Sequence, residues 1–320
     1  MPYWGVHLIT HCIIDDGVYQ LYEKALHYAK LDKNIKYQAT IMDAMSCILF
    51  FNNQWDKDLK IKRESIALME IIDDKSEGLA TRLGVLASYL IERGIFTEAR
   101  TVVGRIDAIA TELKSDHLSL IKSHYDVSIE LLSYNYDYCQ AELDKSMALA
   151  TKTNNIAMLL NAVFLQMELL LARKDTLNFK VKYDKYISLF NQPGLDRYKI
   201  FLGLYWARYL KETGETEKSI ALLGKVSELS KQSNDLKFLS DAQNILAQLY
   251  LEQNPEKSLD ILQAIEQYNP NPNPYLENKA KALHALNRNV EATTLMLEAK
   301  IAYNEAWSAE NQALLEELKN

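Results

Sequence analysis

Residues 79–106 read LATRLGVLASYLIERGIFTEARTVVGRI, and two helices joined by a turn are written into them. Leu83, Leu86, Ala87 and Leu90 recur at 3, 4 and 7 residues from the first, the period of one helical face. Gly94 interrupts that helix, since a tight turn needs a permissive backbone. The next helix sets Phe96, Ala99, Val103 and Ile106 on its inward side. Working outward, the second-helix anchor that Ala99 represents recurs at Ala141, Ser219, Ser258 and Ala292. The spacings are 42, 78, 39 and 34 residues, and 78 is twice 39, so a degenerate unit with its anchor near Lys180 is predicted in the wide gap. A period of about 34 to 42 residues means a stack of helical hairpins, because one hairpin cannot bury its own apolar faces without a neighbour.

The unit around Gly94 resembles a tetratricopeptide repeat. That family places a small residue and then a large one in its first helix, glycine in the turn, and an aromatic and an alanine in its second helix. Ala87, Leu90, Gly94, Phe96 and Ala99 meet those requirements. Residues 195–232 follow with Ala207, Leu210, Gly214, Ser219, Leu223 and Val226; residues 236–270 with Ala247, Tyr250, Asn254, Ser258, Leu262 and Ile265; residues 274–304 with Ala280, Leu283, Asn287, Ala292, Met296 and Ala299. Small residues matter because facing helices approach closely only where a side chain is short. The segments 115–152, 155–192 and 34–73 match more weakly. Helices longer than the family's standard explain units above 34 residues, and such lengthened repeats resemble those in regulatory parts of bacterial signalling proteins.

The resemblance implies an all-α fold, a right-handed superhelical solenoid of about seven antiparallel helix pairs in a single repeat domain over 1–320. The expected hairpins are 3–32, 34–73, 76–113, 115–152, 155–192, 195–232, 235–268 and 274–304, with a C-terminal cap helix over 305–319. In the opening hairpin, Leu21, Ala25, Tyr28 and Ala29 are expected to face inward. The first helix there is short and bears Trp4, Val6, Leu8 and Ile9, so the N-terminus is expected to be incomplete or to associate with a partner through this apolar segment. The run Asn269-Pro270-Asn271-Pro272-Asn273-Pro274 cannot continue a helix and is expected to join the last two hairpins.

Composition agrees with a helical chain: 10 glycines and 6 prolines are few for 320 residues, fewer than a sheet domain needs for its turns. A formal charge of -7 disfavours direct nucleic-acid binding, which rests on clustered Lys and Arg. No apolar run approaches the length that spans a bilayer, and no polybasic anchor is present, so no membrane association is expected. The three cysteines, Cys12, Cys47 and Cys139, are odd in number and far apart, which favours a reducing, cytoplasmic location.

Catalytic signatures are absent. There is no phosphate loop, dinucleotide fingerprint, zinc-protease motif, Cys-x-x-Cys or nucleophile elbow. His7 and His11 with Cys12, and His117 and His124 near Asp116 and Asp126, have spacings that put two imidazoles on one face. Neither pair has the further ligands a tetrahedral site requires, so no metal, cofactor or enzymatic activity is expected. Asp15-Asp16 sits where a helix begins and reads as a cap. The stripe Phe179, Tyr183, Tyr186 and Phe190 reads as core.

In tetratricopeptide stacks the first helix of each hairpin lines a concave face. Carried onto this chain, the groove positions are Ser123, Asp126, Glu130, Ser133 and Tyr134 in one unit, Phe201, Leu204, Arg208, Lys211 and Glu212 in another, and Asp241, Asn244, Gln248, Leu251 and Glu252 in the next. The partner-contacting residues implied by the resemblance are Asp126, Glu130, Tyr134, Leu204, Arg208, Lys211, Asp241, Asn244 and Gln248. The lysine and asparagine set with which some family members grip a C-terminal carboxylate is missing. Two functions follow from these expectations: a scaffold or adaptor that holds a protein or peptide in the groove, or a sensor segment of a larger bacterial regulator or kinase whose effector domain lies elsewhere.

Overall fold

The computed structural model describes residues 16–52, 54–72, 75–190, 196–233, 235–268 and 271–319. Among the described residues there are sixteen α-helices, one 3-10 turn and no strand. The expected helix over 3–14, with His7, His11, Cys12 and Trp4, lies outside them, as does Asp15.

The chain divides into two compact units, Met1–Leu169 and Leu170–Asn320. The first contains α1 (Asp16–Leu31), α2 (Ile35–Phe51), α3 (Trp55–Ile72), α4 (Glu77–Glu92), α5 (Phe96–Leu113), α6 (Asp116–Leu132), α7 (Tyr136–Lys152) and most of α8 (Ile156–Ala172). From α1 to α7 each helix packs on the next, and α4 also packs on α6. The second contains α9 (Thr176–Phe190), α10 (Asp196–Glu212), α11 (Thr216–Gln232), α12 (Leu236–Tyr250), α13 (Pro255–Glu266), α14 (Pro272–Ala285), α15 (Asn289–Tyr303) and α16 (Ala309–Lys319). Here too each helix packs on the next, and α10 on α12 and α12 on α14 skip one. Contact between the first helices of successive pairs makes them share one side of each unit.

The repeat is more regular than the anchors suggested. Backbone φ is positive at Gly94, Lys114, Tyr134, Asn154 and Lys174, one such residue every 20 positions, and again at Gly214. Each marks a left-handed turn that ends one helix before the next starts. Four of these six residues are not glycine, so glycine spacing conceals the period. Ser76 and Ser115 then cap α4 and α6 by accepting from the Leu79 and Leu118 N–H groups at 3.1 and 3.3 Å. Asn271 caps α14 and Pro272 occupies its first turn, so the proline run starts that helix two residues earlier than expected.

Two anchors are corrected by the structure. Ala141 is exposed, and the buried second-helix anchor of that unit is Cys139, two residues earlier. In the degenerate unit the anchor is Phe179 rather than Lys180, which is 43% exposed. The anchors are then Ala99, Cys139, Phe179, Ser219, Ser258 and Ala292, all at most 1% exposed and spaced by 40, 40, 40, 39 and 34 residues. Three also bond to the first helix of their own hairpin. The Cys139 thiol donates to the Val127 carbonyl at 3.6 Å, and the Ser219 and Ser258 hydroxyls donate to the carbonyls of Ala207 and Ala247 at 2.7 and 2.8 Å. A small residue at this point brings the helices close, and a hydroxyl there satisfies its own polar atom on the facing backbone. Helix α10 approaches α11 most tightly at Gly203, where a Cβ would lie 2.6 Å from Val226 Cγ2.

The inward face of α1 also differs from expectation. Leu21 and Tyr28 are exposed, at 63% and 65%. Ala25 and Ala29 pack against Ile41 and Met45 of α2 as expected, with Tyr22 and Leu26 taking the places of Leu21 and Tyr28.

Candidate partner-binding surface

In the first unit, Asp126 and Glu130 engage groups of the second helices, and Tyr134 lies in the turn after α6. Asp126 pairs with Lys122 at 2.7 Å on α6, and the charges acting on it come from Asp107 of α5 and Glu142 of α7. Burial raises the Asp126 carboxyl above the usual range despite the lysine. Glu130 accepts from Arg100 of α5 at 3.0 Å and from the Asn135 amide at 3.0 Å. Tyr134 is the left-handed turn residue itself, exposed and edge-on to Tyr136. The reason is the two-residue shift of the anchor. With Cys139 in place of Ala141, the family's groove positions on α6 become Ile121, His124, Ser128, Leu131 and Leu132, of which all but Leu132 are buried. The pair His117 and His124 is split as well. His117 Nδ1 meets the Asn155 side-chain amide at 3.3 Å, whereas His124 is buried beside the Tyr125 ring, and burial pushes its imidazole down to about 3.

The polar groups of the first unit that lie deepest are instead joined in its interior. Lys62 and Asp58, four residues apart on α3, form an ion pair with side chains 5% and 0% exposed. Ser46 of α2 donates to Asp58 at 2.6 Å, and the Lys62 ammonium lies 5.5 and 5.8 Å from the ring centres of Phe50 and Tyr89. Beside them Arg82 of α4 pairs with Asp43 of α2 at 2.6 Å, with Ser65 donating to the same carboxylate at 2.7 Å.

In the second unit implied residues of two first helices, α10 and α12, come together, and Asn278 of a third joins them. Lys211 of α10 donates to Gln248 Oε1 of α12 at 3.3 Å; Gln248 Nε2 donates to Asn278 Oδ1 of α14 at 3.2 Å; Asn278 Nδ2 donates to Asn244 Oδ1 at 3.4 Å; and Asn244 Nδ2 donates to the Ser240 carbonyl at 3.1 Å. The ladder therefore runs one way, from an ammonium through three amides to a backbone oxygen, each group polarising the next. Arg208, one turn before Lys211, lies with its guanidinium 5.7 Å from the Tyr205 ring. Asp241 is 4.0 Å from the buried Lys237. Leu204 is buried, and its neighbour Phe201 packs edge-on against Phe238 at 4.5 Å. The Lys211 ammonium is held below the ordinary lysine range first by burial, then by Arg208 and Lys281, against the pull of Glu212 and Glu252.

Asn278, Glu277 and Lys281 belong to this surface and were missed by the sequence reading. Glu277 accepts from Lys281 at 2.6 Å on one oxygen, and from Asn311 at 3.1 Å and the Tyr303 hydroxyl on the other. The same groove register, counted from Ala280, lands on Glu277 and Lys281; Asn278 lies one residue off it and carried no signal. Behind the ladder, Phe179 and Tyr183 of α9 and Trp206 and Tyr209 of α10 stack with centroids 4.3 to 6.4 Å apart and planes within 29° of parallel. The first half of the aromatic stripe is thus helix-packing core.

Among the described residues no group of three or more His, Cys, Asp or Glu is arranged to hold a metal ion, and no helix is long and apolar enough to cross a membrane. No family model matches the sequence, and no curated protein matches it either. The crystal structure of yeast Tom70 is similar in fold, with a TM-score of 0.52 and 14% identity over 94% of this chain and 58% of that one. The chain thus spans under two thirds of that structure's length. With consecutive helix pairs, left-handed turns between them and small buried anchors in the second helices, the chain has the tetratricopeptide-like helical-repeat solenoid fold that this likeness shows.

Proposed function

We propose that the chain is a protein- or peptide-binding scaffold, and that the first-helix side of the second unit is where the partner lies. The observation that carries this reading is the amide ladder from Lys211 to Asn244. It sets hydrogen-bonding side chains from α10, α12 and α14 on one side of the unit. Leu204, Arg208, Lys211, Asp241, Asn244 and Gln248 are the contact residues in this reading. Peptide groups of an extended or helical segment are the natural complement of such a surface. Asp126, Glu130 and Tyr134 are left out, because the first two engage groups of the second helices and Tyr134 lies in the turn after α6. The reading is non-catalytic and takes no cofactor. Cys47 and Cys139 form no disulfide with each other, which supports a reducing, cytoplasmic setting.

The test is to purify the tagged protein from its own cells, with Arg208→Glu plus Asn244→Ala as the comparison. A stoichiometric partner present with the wild type and lost with the double variant, at unchanged helical circular dichroism, supports the groove. Equal recovery with both proteins overturns it. The mass of the endogenous product answers the second question at the same time: one far above 36.7 kDa makes the chain the repeat segment of a larger signalling protein.

A further inference from the structure

The hydrogen-bond ladder of the second unit starts from a cation, Lys211, that forms no ion pair among the described residues, Glu212 and Glu252 acting on it only from beyond contact. Among the described residues, the one hydrogen bond of the Lys211 ammonium goes to a neutral amide oxygen, Gln248 Oε1 at 3.3 Å. An ammonium has three N–H donors, so two remain. The group is partly buried; Glu212 and Glu252 attract it, and Arg208 and Lys281 act on it as like charges. The carboxylate of α14 beside Lys281, Glu277, is already engaged by Lys281, Asn311 and Tyr303 on its two oxygens. A buried ammonium is costly unless paired with an anion. Beyond Lys211 the surface continues as side-chain amides, which match peptide N–H and C=O groups rather than charge.

Resting on the scaffold reading above, we infer that Lys211, flanked by Arg208 and Lys281, is the receptor for an aspartate or glutamate side chain within an extended partner segment, whose flanking backbone is read by Gln248, Asn278 and Asn244. A carboxylate seated there supplies the contact ion pair that Lys211 lacks and accepts its two remaining N–H donors. Cations on α10 and α14 with amides between them suit a segment that continues in both directions past its acidic residue, not one that stops at a terminal carboxylate.

The experiment is selection from a random peptide library, with capped C-termini in one arm and free C-termini in the other, against the intact chain and its Lys211→Met and Lys211→Arg variants. Capped peptides enriched for Asp or Glu at a fixed position are expected on the wild type. Affinity of the selected peptide should fall about tenfold or more with Lys211→Met, the loss expected for a charge-assisted hydrogen bond, and be largely kept with Lys211→Arg. Binding peptides without acidic enrichment, or an acidic preference that survives Lys211→Met, overturn the inference and leave the scaffold reading standing. Enrichment confined to free C-termini assigns the site to a terminal carboxylate and overturns it too. A library that yields no binder to the wild type fails both readings.

Discussion

The first unit pairs its buried lysine with a carboxylate, whereas among the described residues the second leaves a lysine hydrogen-bonded to an amide with no carboxylate at ion-pair distance. Lys62 and Asp58 are an ion pair buried in the interior of the first unit, and Ser46 donates to the same carboxylate oxygen that Lys62 meets. Lys211 in the second unit donates to Gln248 and to no carboxylate. Lys62 is buried and Lys211 partly buried. The partner separates them further: a lysine paired with its own carboxylate has its charge answered in contact, and one paired with an amide does not.

The contrast predicts opposite outcomes for the same substitution. Lys62→Met strands the Asp58 carboxylate in the core and should cost about 3–5 kcal/mol, read by equilibrium urea unfolding of the intact chain. A loss under about 1 kcal/mol would mean that the pair is not sealed, and the contrast between the units would collapse. His124 sharpens the picture of the first interior. Its folded value of about 3 lies below the ordinary 6.5, so the unfolded chain binds the proton first as pH falls. Stability contributed by the neutral ring is present above about pH 6.5 and drains away towards pH 3. Relative to His124→Leu, the wild type should lose about 3 kcal/mol between about pH 7 and pH 4; parallel stability curves for the two proteins would show that the ring is not buried. The smallest expected effect belongs to Lys211→Met. It removes one hydrogen bond to a neutral oxygen and no ion pair, so the unfolding free energy should stay within about 1 kcal/mol of the wild type. A loss as large as that for Lys62→Met would make Lys211 a structural residue and erase the difference between the units.

The repeat architecture was legible where glycine and small residues do their usual work. The hairpin of α4 and α5 shows this: Leu83, Ala87 and Leu90 are buried where the period sets them, Gly94 takes the left-handed turn, and Ala99 is buried. Legibility failed where another residue took the same role. Tyr134 adopts the left-handed conformation without being glycine, and Cys139 serves as the small anchor. The reading slid to Ala141, two residues on. A two-residue slip turns a helix by more than half a turn, which is why Asp126 and Glu130 were assigned to the groove although they face α5 and α7. The same rule was in register around Ser219 and Ser258, and there Lys211, Asn244 and Gln248 do come together. In α1, Leu21 and Tyr28 illustrate a different limit. Apolar character sets which residues can be buried, and the face that α2 meets carries Tyr22, Ala25, Leu26 and Ala29.

Periodicity, turn residues and small anchors in the sequence determined that this chain forms stacked helical hairpins, because those features act locally and repeat along the chain. Charge balance and the missing motifs likewise set aside phosphate-backbone binding and the familiar catalytic chemistries as expectations. Which lysine is sealed and which still has donors to give was decided only by tertiary structure. Lys62 meets its carboxylate four residues away, a pairing that sequence spacing allows. Lys211 reaches an amide 37 residues on, and that amide meets another 30 residues further. Such contacts depend on how three helices pack, to within a fraction of an ångström, and no local rule of the chain carries that information.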